Sequence, residues 1–178
     1  LHLLSRRQRQ MCIRDRMKMP WDNDNIPAIK YSWSDESKEG LENIAHILDE
    51  DFGGAGAGLR ASHKAMVNNL NAALSISAMD AREEVIRLMK QRQYHSKSGY
   101  VGHGNMVSQV KDHVTDDKHT HLIYTDATSK DGYNYSQAFE FGLLNRNYPA
   151  QHPFRDAGNK ITPQVEKIAE EAIRKGFS

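Results

Sequence analysis

Apolar and polar positions alternate along "IPAIKYSW" (26–33), which places Ile29, Tyr31 and Trp33 on one side of an extended chain and predicts a strand. Pro27 suits the start or the edge of such a strand. Ser34 then reads as a helix N-cap, with Asp35 and Glu36 in the first turn, where the helix dipole favours carboxylates. Leu41, Ile44, Ala45, Leu48 and Phe52 recur at helical spacing on one face, and Gly53 and Gly54 end the run. From Leu59 to about Tyr94 the chain has neither Gly nor Pro. Its stripe of Met66, Val67, Leu70, Ala73, Leu74, Ala78, Ala81, Val85, Leu88 and Met89 predicts one helix of ~50 Å, or two joined near "SIS" (75–77). A helix of that length in a domain of this size is expected to pack against other subunits.

Downstream, "SKSGYVGHGN" (96–105) is a glycine-punctuated loop. Two strands are expected at about 106–114 and 119–126, joined at "TDDK", and "SKDG" makes a further turn. After "HPFRDAGNK" a last helix is expected from about Thr162 to Lys175, with Val165, Ile168, Ala169, Ala172 and Ile173 on one face. Strand, two helices, strands and helix make an α+β class with a small, mostly antiparallel sheet. At 178 residues this is one domain, assigned to 17–178.

The first sixteen residues, "LHLLSRRQRQMCIRDR", break the pattern: they hold five arginines and one acid with no periodic apolar face. They read as a non-native, adapter-derived stretch or a disordered leader, with translation starting at Met17 or Met19. A basic nucleic-acid-binding arm is the alternative. Without the leader the only cysteine, Cys12, disappears, and with it any disulfide or thiol chemistry. The formal charge changes from +1 to −3, with 19 basic against 22 acidic residues. The basic balance that would suggest nucleic-acid binding therefore rests on the leader alone. Apolar content of 38% against 26% charged residues is compatible with a folded core, and no apolar run approaches the ~20 residues of a membrane span.

Candidate chemistry is sparse. "DFGGAGAGLR" (51–60) contains no G-x-G-x-x-G and follows a helix, so a flexible hinge is expected there and not a phosphate loop. "HTH" (119–121) on a strand would put His119 and His121 on one face, with His113 on the neighbouring strand, a spacing that metal sites use. Paired histidines on a solvent face are the ordinary reading of the same pattern. No H-E-x-x-H and no G-x-S-x-G occurs. Glu140, between Phe139 and Phe141, has the surroundings of a raised-pKa general acid. Its partner would have to be Asp126 or Asp131, and a buried Glu bonded to backbone N–H groups is the ordinary alternative.

The C-terminal third carries a resemblance. Tyr135, three residues, Phe139-Glu140-Phe141-Gly142, a short loop, then Pro153-Phe154 and Ala157 before a last helix resembles the tail-component or neck proteins of lambda-like tailed bacteriophages. Upstream, Ser98-Gly99 and Gly104-Asn105-Met106 stand where that family has Thr-Gly and Gly-Asn-Leu, and the "AIKYSW" strand matches its start. Leu143 departs from the family's Thr after Glu-Phe-Gly.

The resemblance implies a non-catalytic virion protein at the head–tail junction, called a tail-completion or head–tail joining protein and assembled in the bacterial cytoplasm. It also implies a homo-oligomeric, possibly hexameric ring beside head-closure and tail proteins, close to DNA, with no cofactor and no membrane partner. A closed ring requires a heterologous interface, for which the long helix and the Gly-rich hinge are the expected surfaces. On this reading Gly142 permits a positive φ, Pro153 fixes the chain before Phe154, Phe154 anchors the last helix, and Glu140 accepts hydrogen bonds from loop N–H groups. A tail terminator subunit and a histidine-metal-dependent enzyme of unknown substrate are the alternatives.

Overall fold

The computed structural model describes residues 26–92, 105–128, 134–142 and 148–177. In chain order the elements are β1 (Ile29–Ser32), α1 (Lys38–Phe52), α2 (Gly56–Gln91), α3 (Asn105–Ser108), β2 (Val110–Val114), β3 (Thr120–Thr125), α4 (Tyr135–Phe141) and α5 (Pro153–Gly176). The strands form one antiparallel sheet in the order β1-β3-β2. The protein is therefore α+β, with an N-terminal strand, two helices of which the second is long, a small sheet and a C-terminal helix. The leader 1–16 with Cys12, Met17, Met19, Ser98-Gly99, Gly104, Asp131 and Leu143 lie outside the described residues.

Period-two burial along β3 sets the layers: His121, Ile123 and Thr125 are buried, while Thr120, Leu122 and Tyr124 alternate with them. The buried side packs on α2 and α5 through a core that includes Ile29, Tyr31, Ile123, Val85, Met89, Phe139 and Phe154. Helix α2 runs unbroken for 36 residues, about 54 Å at 1.5 Å per residue. The serine-rich point at 75–77 does not break it, because the Ser77 hydroxyl bonds back to the Ala73 carbonyl at 2.9 Å and stays buried inside the helix pair. Helix α5 lies antiparallel along it. Arg92 at the end of α2 binds Asp156 near the start of α5, while Gly176 at the other end of α5 packs on Met66. A Cβ on Gly176 would lie 2.5 Å from the Met66 Cα, so this approach requires glycine. A second, smaller cluster of Met66, Leu70, Ala73 and Ala172 fills that end. One side of α2 is thus covered by the chain itself along its length, while Ile76 and Met79 stand outward on the other.

Four expectations need correction. Helix α1 starts at Lys38, not just after Ser34. Asp35 is drawn away by His63 of α2, at 2.7 Å, and receives the Ser37 hydroxyl at 3.0 Å. On α1 only Ala45 is buried, while Ile44 and Phe52 face outward at 51% and 70% exposure, because Ala45 is the residue that meets α2. Residues 105–108 form the short helix α3 where a strand was expected to begin. The Met106 carbonyl is held there by the Thr125 hydroxyl (3.1 Å) and the Gln109 N–H (3.3 Å). Helix α5 begins at Pro153, nine residues ahead of Thr162. Proline is favoured at that first position, and Gly158 and Pro163 are carried inside the helix instead of delimiting it.

The glycine-rich stretch after α1 is a braced turn, where a flexible hinge was expected. Gly53 (φ 62°) and Gly54 (φ 99°) reverse the chain. Asp49 accepts the Gly56 N–H at 2.9 Å and the Arg60 guanidinium at 2.5 Å. A side chain at Gly56 would collide with the Ala45 carbonyl, so α1 and α2 meet backbone to backbone. Among the described residues no helix is long and apolar enough to cross a membrane.

Candidate functional site

The segment that carries the resemblance is built around buried polar groups. Where β3 ends, fully buried Asn134 donates from Nδ2 to the Thr125 carbonyl (2.7 Å) and accepts the Ser136 N–H on Oδ1 (2.9 Å), capping α4. The Ser136 hydroxyl also donates to that oxygen. Tyr135 N–H bonds the Ala127 carbonyl at 3.1 Å. Gly142 closes α4 at φ 76°, and a Cβ there would lie 2.6 Å from the Tyr148 carbonyl oxygen. The chain then returns so that the Gln151 N–H donates to the Phe139 carbonyl at 2.9 Å.

Glu140 sits between these turns with 3% exposure. Its Oε2 accepts the Phe154 N–H at 2.9 Å and its Oε1 the Arg155 N–H at 3.1 Å. Both amides belong to the first turn of α5, which leaves them without helical partners. His152, at the N-cap position, offers no side-chain cap. A carboxylate from α4 therefore caps α5 from outside, where the positive end of the helix dipole also attracts it. Burial pushes the Glu140 carboxyl above its usual range, and the two amides, with His152 Nδ1 at 3.9 Å, oppose that shift. Arg92 completes the junction, donating to Asp156 at 2.7 Å and to the Gln151 carbonyl.

The aromatic pocket around an acid does not form. Phe139 and Phe154 are buried in the main core with Ala157, whereas Tyr135 and Phe141 point to the surface. Asp126, one possible carboxylate partner for Glu140, is instead bound to Lys111 at 2.5 Å. Pro153 occupies the first turn of α5 and is buried, so Pro153, Phe154 and Ala157 are the start of the last helix and do not precede it.

The histidines separate. His121 lies in β3 opposite Tyr31 and Val114, is 3% exposed, and has its Nδ1 2.8 Å from Asp112 Oδ2. His119 precedes β3 and packs on Trp33, with ring centroids 4.1 Å apart, while Trp33 Nε1 donates to Asn71 at 3.0 Å. His113 pairs with Leu122 and so faces the opposite side of the sheet from His121. Among the described residues no group of three or more His, Cys, Asp or Glu side chains is placed to hold a metal ion.

Sequence reasoning missed three groups that organise the helix pair: Arg92, Asn134 and the cluster centred on Glu84. Glu84 binds Arg87 at 2.7 and 2.8 Å and Lys160 of α5 at 3.0 Å, and Arg87 first, then Lys160, hold its carboxyl down at about 2. Asn134 was readable as a helix cap, since Asn followed two residues later by a helical amide is a common start signal. Arg92 had no local signal, because Gln151 and Asp156 are brought to it by the fold; for Glu84 the i, i+3 spacing to Arg87 was readable, whereas Lys160 of α5 was not. Compared with protein-family models, with curated proteins and with solved structures, the chain gives no match in any of the three.

Proposed function

We propose that the protein is a structural virion subunit of a tailed bacteriophage, a ring-forming, non-catalytic neck or tail-completion component of the head–tail junction. The observation that carries this reading is the use of Glu140. The acid in the segment resembling the neck family has both oxygens engaged by backbone amides of α5, the role of a fastener. The exposed side of α1 supports the same reading. Ile44, Ile47 and Phe52 stand outward there beside Glu42, Glu50 and Asp51, and an apolar strip of this kind suits a contact between subunits. A ring built on this strip needs a different surface on the neighbouring copy, as any closed heterologous assembly does.

The test has three parts. The genes on either side of this one should encode portal, capsid and major tail proteins, and negative-stain images of the purified chain should show closed rings. Antibody against the chain should then label the head–tail junction of the virion. A monomeric chain encoded among metabolic genes would overturn the reading.

A further inference from the structure

The α1 strip has a chemical counterpart on the outer side of α2. Lys64, Asn68, Ala72 and Ile76 follow one another at four-residue steps and are all exposed, with Met79 beside Ile76. Ile76 and Met79 are 54% and 58% exposed, on the side of α2 opposite buried Leu74, Ala78 and Ala81. From Gly56 to Met79 the helix has no carboxylate, and Asp80 is its first. Of the Lys and Arg side chains in that stretch, Arg60 is held by Glu42 and Asp49 of α1. Lys64 has no partner among the described residues.

The strip on α1 has the opposite charge. Ile44, Ile47 and Asp51 recur at helical spacing on its outer side, with Phe52 exposed beyond them. Glu42 and Asp49 are engaged by Arg60, Glu50 lies 3.5 Å from His46, and Lys38 and Glu39 cancel at the other end. Asp51 has no partner among the described residues. Each strip therefore combines two exposed apolar side chains with one such charge, negative on α1 and positive on α2.

We infer that α1 of one copy lies across the outer side of α2 of the next, antiparallel to it. Ile44 and Ile47 would rest on Ala72, Ile76 and Met79, with Asp51 turned to Lys64. Charge sets the direction, because the antiparallel arrangement carries the acidic last turn of α1 away from Asp80 and Glu83. Ile44 and Asp51 are ~10 Å apart along α1, Ile76 and Lys64 ~18 Å apart along α2, and the two charged side chains together span the remaining ~8 Å. Both surfaces are ridges of residues four apart, which interlock in the commonest form of helix packing. The two surfaces differ, so the contact repeats head to tail, as a closed ring requires. This inference rests on the ring-forming reading above and supplies its second surface.

Complementary variants of the full chain test it by sedimentation velocity. Ile47→Asp blocks the strip on α1 and Met79→Asp the strip on α2; both side chains are exposed, and circular dichroism checks that each variant folds. Each variant alone should lose rings, whereas an equimolar mixture should form one-to-one pairs and nothing larger, because one intact contact remains between unlike copies. Lys64→Glu should weaken assembly about tenfold, and Lys64→Glu combined with Asp51→Lys should restore most of it. Rings that survive Met79→Asp, a mixture that stays monomeric, or a charge swap that restores nothing would overturn the inference. Rings that label the head–tail junction yet ignore Met79→Asp would overturn this contact alone. One-to-one pairing by a chain absent from virions would overturn the junction and leave the contact.

Discussion

The two halves of α2 are packed differently. Its C-terminal half contributes Leu74, Ala78, Ala81, Val85, Leu88 and Met89 to a core completed by eight buried residues of the sheet, α4 and α5, whereas its N-terminal half shares a cluster of four: Met66, Leu70, Ala73 and Ala172. Side chains from several distant segments fill the first, whereas the buried members of the second come from α2 and α5 alone. The buried polar contacts follow the same division. At the sheet end backbone groups are held by the Glu140 cap, Asn134 and Arg92, while Val114, Tyr135 and Phe141 stand outward. At the other end α1 buries Ala45 and leaves Ile44, Ile47 and Phe52 outward. One end is tied together by buried polar groups; the apolar side chains of α1 at the other are the surface proposed to meet a neighbouring copy.

The contrast can be broken most strongly at the larger core. Phe154→Ala removes an aromatic ring packed among the sheet and α2, and should cost about 3–5 kcal/mol. Chemical denaturation would show this as a lower midpoint with an unchanged slope. Leu70→Ala in the smaller cluster should cost about 2 kcal/mol, since the neighbouring helices can close part of the space. Equal losses at the two sites in the same experiment would remove the distinction between the cores.

Acid sharpens the comparison next. Glu84 ties the helix pair together with its carboxyl held at about 2, against an ordinary value of 4.5. Its stabilising contribution is therefore complete above pH 4.5 and lost as pH falls from there towards 2. Burial shifts Glu140 in the other direction, so the folded chain takes up that proton more readily than the unfolded one, and Glu140 adds nothing to the acid loss. Glu84→Gln should flatten the fall in stability below pH 4.5, and an unchanged acid limb would count against its role. The smallest effect is expected on α1: Ile47→Ser, at a side chain 55% exposed, should change the stability of the isolated chain by less than about 0.5 kcal/mol. The same variant should weaken ring formation in sedimentation measurements, and rings that persist unchanged would move the interface elsewhere.

Much of the fold was legible because local patterns agreed with the tertiary result. The alternation around Ile29 and Tyr31, the apolar stripe from Met66 to Met89 and the positive φ at Gly142 all survive in the structure. The failures occur where distant partners decide. Asp35 turned to His63 and delayed α1, and the Thr125 hydroxyl held Met106 in a helical turn. Pro153 and Gly158, read locally as loop residues, were absorbed into α5 because Phe154 and Ala157 had a core to enter. At the candidate site the residues, and a Glu140 bonded to backbone N–H groups, were legible; which amides supply those bonds was not. The spacing of Glu140 shows a carboxylate among aromatics, but only the fold brings the amides of Phe154 and Arg155 to it.

The central claim is that Glu140 fastens α5, and residue-resolved hydrogen exchange tests it most directly. The Phe154 and Arg155 amides should be protected in the native chain. Glu140→Ala should accelerate their exchange at least tenfold, consistent with losing charge-assisted hydrogen bonds of ~2 kcal/mol, while amides near Ala172 stay unchanged. Equal exchange at Phe154 and Arg155 in the two proteins would contradict the account.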